Sequence, residues 1–236
     1  MVVKDEIYKY LKSFDSKPFI FDSFLQKQKA LMRAFGICLL IVFIISIFTA
    51  VIRIFGHIEF QPNDIPLVYF WVINILVIPL FEEITFRLPL IYNRGSLSLS
   101  VLVISYLIIS YFIGVSPIDA KGMVFRFCFS VILAITLFIV LGRKYFAVKL
   151  PLLWENNGKL IFFLLLFSFT LRHLDNYVLT STVLLFSPIL LLPQFISGVF
   201  FSFVRVRFGF VYSIFFHMMI NLIALSPQII LYYANT

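Results

Sequence analysis

Apolar residues run along this chain in long blocks, neither alternating as in a half-buried strand nor confined to the stripe of a soluble helix. A helix that crosses a membrane needs about 20 mostly apolar residues. Seven segments meet that requirement: 34–56, 67–92, 97–114, 122–142, 159–180, 182–204 and 208–234. Several carry proline (Pro79, Pro89, Pro188, Pro193, Pro227), which in a membrane marks a kink whose freed carbonyls are satisfied inside the bundle. The fifth is interrupted by Arg172, His173 and Asp175, and there is no internal repeat. The pattern predicts an all-α integral membrane protein with about seven transmembrane helices.

Composition agrees. The 236 residues are 62% hydrophobic and only 13% charged, with a mean hydropathy of +1.05, which leaves too little polar surface to cover a soluble globule. The 31 Phe in an aliphatic background exclude disorder. Net charge is +8, and its placement matters more than its size. Seven basic residues (Lys4, Lys9, Lys12, Lys17, Lys27, Lys29, Arg33) precede the first apolar block, mixed with Asp5, Glu6, Asp15 and Asp22. This reads as a cytoplasmic arm, residues 1–33, on anionic lipid, followed by a transmembrane domain, residues 34–236; nothing resembles a nucleic-acid-binding fold. With the N-terminus inside, fourteen Lys and Arg fall on the inner side against two, Arg53 and Lys121, outside, as the positive-inside rule requires. A cleaved signal peptide is not expected, since the charged start is too long and no small-residue cleavage site follows. Cys38 and Cys128 lie in apolar blocks and suggest only packing.

An ionisable group at mid-bilayer costs at least about 2.5 to 3.5 kcal/mol, so each one needs a partner or a task. They cluster in three blocks: Glu82, Glu83 and Arg87 in FEEITFR, Arg172 and His173 in FTLRH, and His217 with Asn221 in HMMIN. At 1.5 Å per residue, Glu82, His217 and His173 lie roughly 15, 14 and 21 Å from the inner ends of their helices, which allows them one cavity. Glu83 and Arg87 are an i, i+4 acid-before-base pair on one face. Glu82 is turned about 100° from that face and has no partner on its own helix. His217 and Asn221 share a face, as do Phe169 and His173.

A carboxylate in such a pocket can take a proton from water, while neighbouring imidazole and amide groups orient that water or stabilise an oxyanion. A Glu with two His is equally a three-ligand catalytic zinc set. The residue types leave both chemistries open.

At these positions the chain resembles the CPBP family of intramembrane proteases, which takes in the CAAX prenyl proteases and the bacterial Abi proteins associated with bacteriocin self-immunity. The family pattern is EExxxR, FxxxH and HxxxN or HxxxD on successive membrane helices. Glu82, Glu83 and Arg87, then Phe169 and His173, then His217 and Asn221 fill it. The likeness covers about residues 65–225. It implies an intramembrane glutamic endopeptidase acting on a membrane-bound protein or peptide. Glu82 is then the base, His173 holds the water, and His217 with Asn221 stabilises the oxyanion. Glu83, Arg87 and Phe169 support the site. No cofactor is expected, because Asn221 stands where a metal ligand would be wanted; the zinc alternative would use Glu82, His173 and His217. The expected location is a multi-pass position in a lipid bilayer, the bacterial cytoplasmic membrane on the Abi likeness.

Plainer readings stand beside these. Glu83 with Arg87 reads as a structural ion pair, Asn221 alone as interhelical glue, and Arg126 as an outer-leaflet snorkelling residue. Arg172 and Asp175 are expected to pair with each other or with water at the outer mouth, His57 to be solvated, and Arg205 with Arg207 to be positive-inside anchors. For the whole chain, the alternatives are a non-proteolytic immunity or scaffold protein of the same fold and, behind it, a small transporter with Glu and His as relay groups.

Overall fold

The computed structural model describes residues 3–13, 20–21, 23–62, 66–115, 117 and 119–234. Of the arm's charges, Asp15, Lys17 and Asp22 lie outside the described residues. The described chain is all α, and seven of its helical segments are long and apolar enough to cross a membrane.

A short helix α1 (Val3–Ser13) precedes the long α2 (Phe24–Phe55). The second span is composite: α3 (Leu67–Val72), a π-helical turn (Ile73–Val77), α4 (Ile78–Phe86) and a 3₁₀ turn (Leu88–Leu90). Then come α5 (Arg94–Ile113), α6 (Met123–Leu141) and α7 (Lys144–Arg172), which ends in a 3₁₀ turn (His173–Asn176). The sixth span is broken into α8 (Ser181–Leu190) and α9 (Leu192–Arg207) beside Pro188 and Pro193, and α10 (Phe210–Ala234) closes the bundle.

Two boundaries differ from the sequence expectation by ten residues or more. The helix of the first span begins at Phe24 rather than 34, because the Ser23 hydroxyl accepts from the Gln26 N–H and Lys27, Lys29 and Arg33 are all good helix formers. The helix of the fifth begins at Lys144 rather than 159. Its first part is too polar to register as a span; a kink at Asn157 (φ −119°, ψ 20°) joins it to the apolar part. There the Trp154 indole N–H donates to the Pro89 carbonyl (2.7 Å), tying α7 to the end of the second span.

The core is built around α9, buried continuously from Ser197 to Val204 and packed by α2, α7 and α10. Outward faces carry large apolar side chains such as Phe43, Phe125 and Ile132, the inverse of a soluble surface. The arm's helix is no free tether: Tyr10 is fully buried against Phe162 and Phe203, so α1 turns its apolar side to the bundle. Burial raises the Tyr10 phenol pKa far above its ordinary value, and the opposing pull of Arg207 is smaller.

Arg126 also departs from expectation. It is fully buried, donating to Ser110 Oγ (2.7 Å) on α5 and to the Asp119 carbonyl, because α5 and α6 form a tight hairpin that brings those acceptors within reach. His57 is exposed, with φ +49°.

Candidate active site

The second span positions the carboxylates. In the π turn the Ile78 N–H donates to the Ile73 carbonyl, five residues back. The Asn74 carbonyl thereby loses its α-helical donor, and the next residue, Pro79, has no N–H to replace it. Asn221 on α10 supplies one: its Nδ2 donates to the Asn74 carbonyl at 2.9 Å. Below this point Glu82 and Glu83 leave α4 in directions about 100° apart and enter different surroundings.

Glu83 points into protein and is fully buried. Its Oε1 lies 3.6 Å from Arg87 Nε and 3.0 Å from His217 Nδ1, and its Oε2 contacts the Ser213 hydroxyl. Ser213 Oγ is also 2.9 Å from the Phe201 carbonyl, so its single proton serves one acceptor at a time. Arg87 is 1% exposed, and among the described residues none of its side-chain nitrogens has a hydrogen-bond partner. Its guanidinium is held by the ion pair and by the Phe169 ring, whose centroid is 3.7 Å away. Gly198 makes this stack possible: a Cβ there would stand 2.7 Å from Leu166 Cδ1, 3.0 Å from Phe169 Cδ1 and 3.1 Å from Arg87 Nη2. The expected pair of Glu83 and Arg87 is therefore present, but Glu83 also orients an imidazole.

Glu82 faces a cavity of about 440 Å³ whose lining includes His173, His217, Asn221 and Arg172. Its carboxylate is almost completely buried, 3.6 Å from His217 Nε2 and 3.7 Å from Arg172 Nη1. These are electrostatic contacts, too long for hydrogen bonds. His217 thus bridges the two carboxylates. With Nδ1–H donating to Glu83, Nε2 is the nitrogen left toward Glu82, and the ring stacks on Phe201 at 4.0 Å. His173 Nδ1–H donates to the Phe169 carbonyl (2.9 Å), which leaves its Nε2 as the acceptor. At one end the cavity meets a crossing of two loops, where Phe60 bridges to Tyr177 and the Gln61 N–H donates to the Asn176 carbonyl.

Comparison with protein-family models, curated proteins and solved structures returns no match for this chain.

The site is therefore read from its own geometry. Glu82, Phe169, His173, His217 and Asn221 line one cavity; Glu83 stands behind it on His217, and Arg87 on the Phe169 ring. One of the two Asn221 amide hydrogens is spent on Asn74, the interhelical contact of the plainer reading. Arg172 pairs with Glu82; no contact with Asp175 is found among the described residues. Arg205 Nε donates to the Arg87 carbonyl (3.3 Å), and Arg207 is buried near the Tyr10 ring, so both do more than anchor. Among the described residues no three of His, Cys, Asp and Glu are gathered so as to hold a metal ion.

Ser213, Asn74 and Gly198 were not singled out from sequence. Ser213 is four residues before His217, so a Ser–His–Asn stripe at i, i+4, i+8 was the available signal. The π turn that gives Asn74 its role has no sequence mark beyond Pro79.

Proposed function

We propose that this chain is an intramembrane endopeptidase that hydrolyses peptide bonds of membrane-associated substrates with a water activated by Glu82. The observation that carries the reading is the unequal treatment of two adjacent carboxylates. Glu83 has its contacts filled by Arg87, His217 and Ser213, whereas Glu82 has no hydrogen-bond partner among the described residues and faces a cavity. Structural burial of a carboxylate favours full satisfaction; a base must keep a lone pair for its proton. The cavity, at about 440 Å³, is many times the roughly 30 Å³ of a water, which leaves space for a peptide segment beside the attacking water. The cytoplasmic N-terminus and the bacterial membrane belong to the same proposal, the first resting on the distribution of basic residues.

In the mechanism, Glu82 takes a proton from water as its oxygen attacks the carbonyl carbon. His173 Nε2 accepts the water's other hydrogen. His217, held by Glu83, presents Nε2 on the Glu82 side. No step requires a metal.

The test is cleavage of a panel of membrane-anchored peptides by wild type and Glu82→Gln. Gln keeps the volume and removes the base, so the variant is expected to insert and fold normally and to cleave nothing. Full turnover by Glu82→Gln would remove Glu82 as the base. A binding-only scaffold is favoured by one observation, the capping of Asn74 by Asn221, which gives that amide a structural task. It predicts no cleavage by the wild type.

A further inference from the structure

Arg172 ends α7, one residue before His173, and its side chain is 39% exposed. It lines the 440 Å³ cavity, an apolar cavity of about 700 Å³ on the other side of Glu82, and a third of about 660 Å³ between α5 and α7. Its partner among the described residues is Glu82, at 3.7 Å, beyond hydrogen-bond length. Among the described residues the five N–H donors of this guanidinium are thus unspent beside the group read as the base.

The imidazole donors nearest Glu82 are committed, and so is one of the two Asn221 amide hydrogens. His217 Nδ1–H is given to Glu83, His173 Nδ1–H to the Phe169 carbonyl, and one Asn221 hydrogen to the Asn74 carbonyl. When water attacks, its oxygen forms the new C–O bond, its proton passes to Glu82, and the carbonyl π pair becomes an oxyanion. Collapse re-forms the carbonyl and expels the amine, which takes the proton from Glu82. The oxyanion develops within a few ångströms of the base and needs a donor aimed at it. We propose that Arg172 is that donor, a catalytic residue outside the EExxxR, FxxxH and HxxxN positions, and that it leaves its contact with Glu82 to bind the oxyanion. The assignment rests on the hydrolase reading.

A merely electrostatic role is distinguishable. Charged or titratable groups around Glu82 are Arg172 and His217 in contact, Glu83 on the other side of the His217 ring, Asp175 in the lining of the same cavity, and His173 and Arg87 further off. If Arg172 acted only on the charge balance of the site, its loss would alter the pH dependence of the rate and leave the plateau kcat intact.

The experiment compares wild type, Arg172→Gln, Arg172→Lys and Glu82→Gln on the same membrane-anchored peptides, with kcat and KM measured across pH and folding checked by thermal unfolding. Arg172→Gln is expected to fold, since the side chain is partly exposed, and to lose about 10²- to 10³-fold in plateau kcat with little change in KM. Arg172→Lys should recover part of it. A plateau kcat at the wild-type level, with or without an altered pH dependence, overturns the assignment while leaving an inactive Glu82→Gln to support the hydrolase. A wild type that cleaves nothing, or an active Glu82→Gln, overturns both.

Discussion

Replacing Glu83 by Gln removes one negative charge and almost no volume, and the structure locates the damage at Arg87. Gln can still accept from His217 Nδ1–H and meet the Ser213 hydroxyl, so those contacts persist. Arg87 has no substitute: it is 1% exposed, and its countercharge stood 3.6 Å away. At an effective dielectric of 20, two unit charges at that distance attract by about 5 kcal/mol. Removing one member of a buried pair costs about 3 to 5 kcal/mol, so two routes to the magnitude agree. Both groups are at or below 1% exposure, and solvent screening does not reduce the figure. The assay is unfolding in detergent for Glu83→Gln, Arg87→Met and the double variant. The single Glu83→Gln should lose most of that stability and much of its yield. The double variant should recover all but about 2 kcal/mol, the stacking of Arg87 on Phe169. Should Glu83→Gln express and unfold like wild type, or the double variant prove as unstable as the single, the stranded charge is not the mechanism.

Three further outcomes are expected. Asn221→Ala strands the Asn74 carbonyl and should cost about 1 to 3 kcal/mol in unfolding measurements; a pure loss of kcat at unchanged stability would return Asn221 to an oxyanion role. Gly198→Ala drives a methyl into Leu166, Phe169 and Arg87 and should destabilise by about 1 to 3 kcal/mol, an argument that wild-type unfolding would sink. Chelation should leave the cleavage rate unchanged and metal analysis should find zinc well below one equivalent, whereas tightly held stoichiometric zinc would replace the glutamate mechanism with a metal one.

The membrane helices were legible because lipid leaves every backbone group to be satisfied within the segment, so length and apolarity suffice. The convergence of Glu82, His173 and His217 was legible for a related reason: ionisable groups are rare enough in such blocks that those present must meet. Hydroxyls and backbone geometry lack that rarity. Ser213 looks like any small polar residue in an apolar helix, and its task is visible only when α9 and α10 bring Glu83 beside it. Arg126 was misread because depth along its own helix does not reveal Ser110 on the neighbouring one. For Arg172, sequence proximity to Asp175 was a poor guide: the two line the same cavity, but it is α4 that brings an ion-pair partner, Glu82, within reach.

The π turn at Ile73–Val77 stores one residue more than an α-helix needs over the same rise. Each residue is worth about 100° of rotation, so this surplus sets the angular phase between α3 and the carboxylate-bearing α4. Elsewhere in a span, deleting a residue swings one half of the helix out of register and nothing in the backbone welcomes the loss. Here a deletion relaxes the turn to ordinary winding and opens no gap in the ladder beyond the one Pro79 already leaves. The strain is instead transferred to phase: with α4 held by α10, Trp71 rotates away from Tyr232 toward lipid. The turn acts as a vernier in the helix, a place where evolution or a designer can re-index α3 against the two carboxylates by one side-chain position without breaking the rod that carries them.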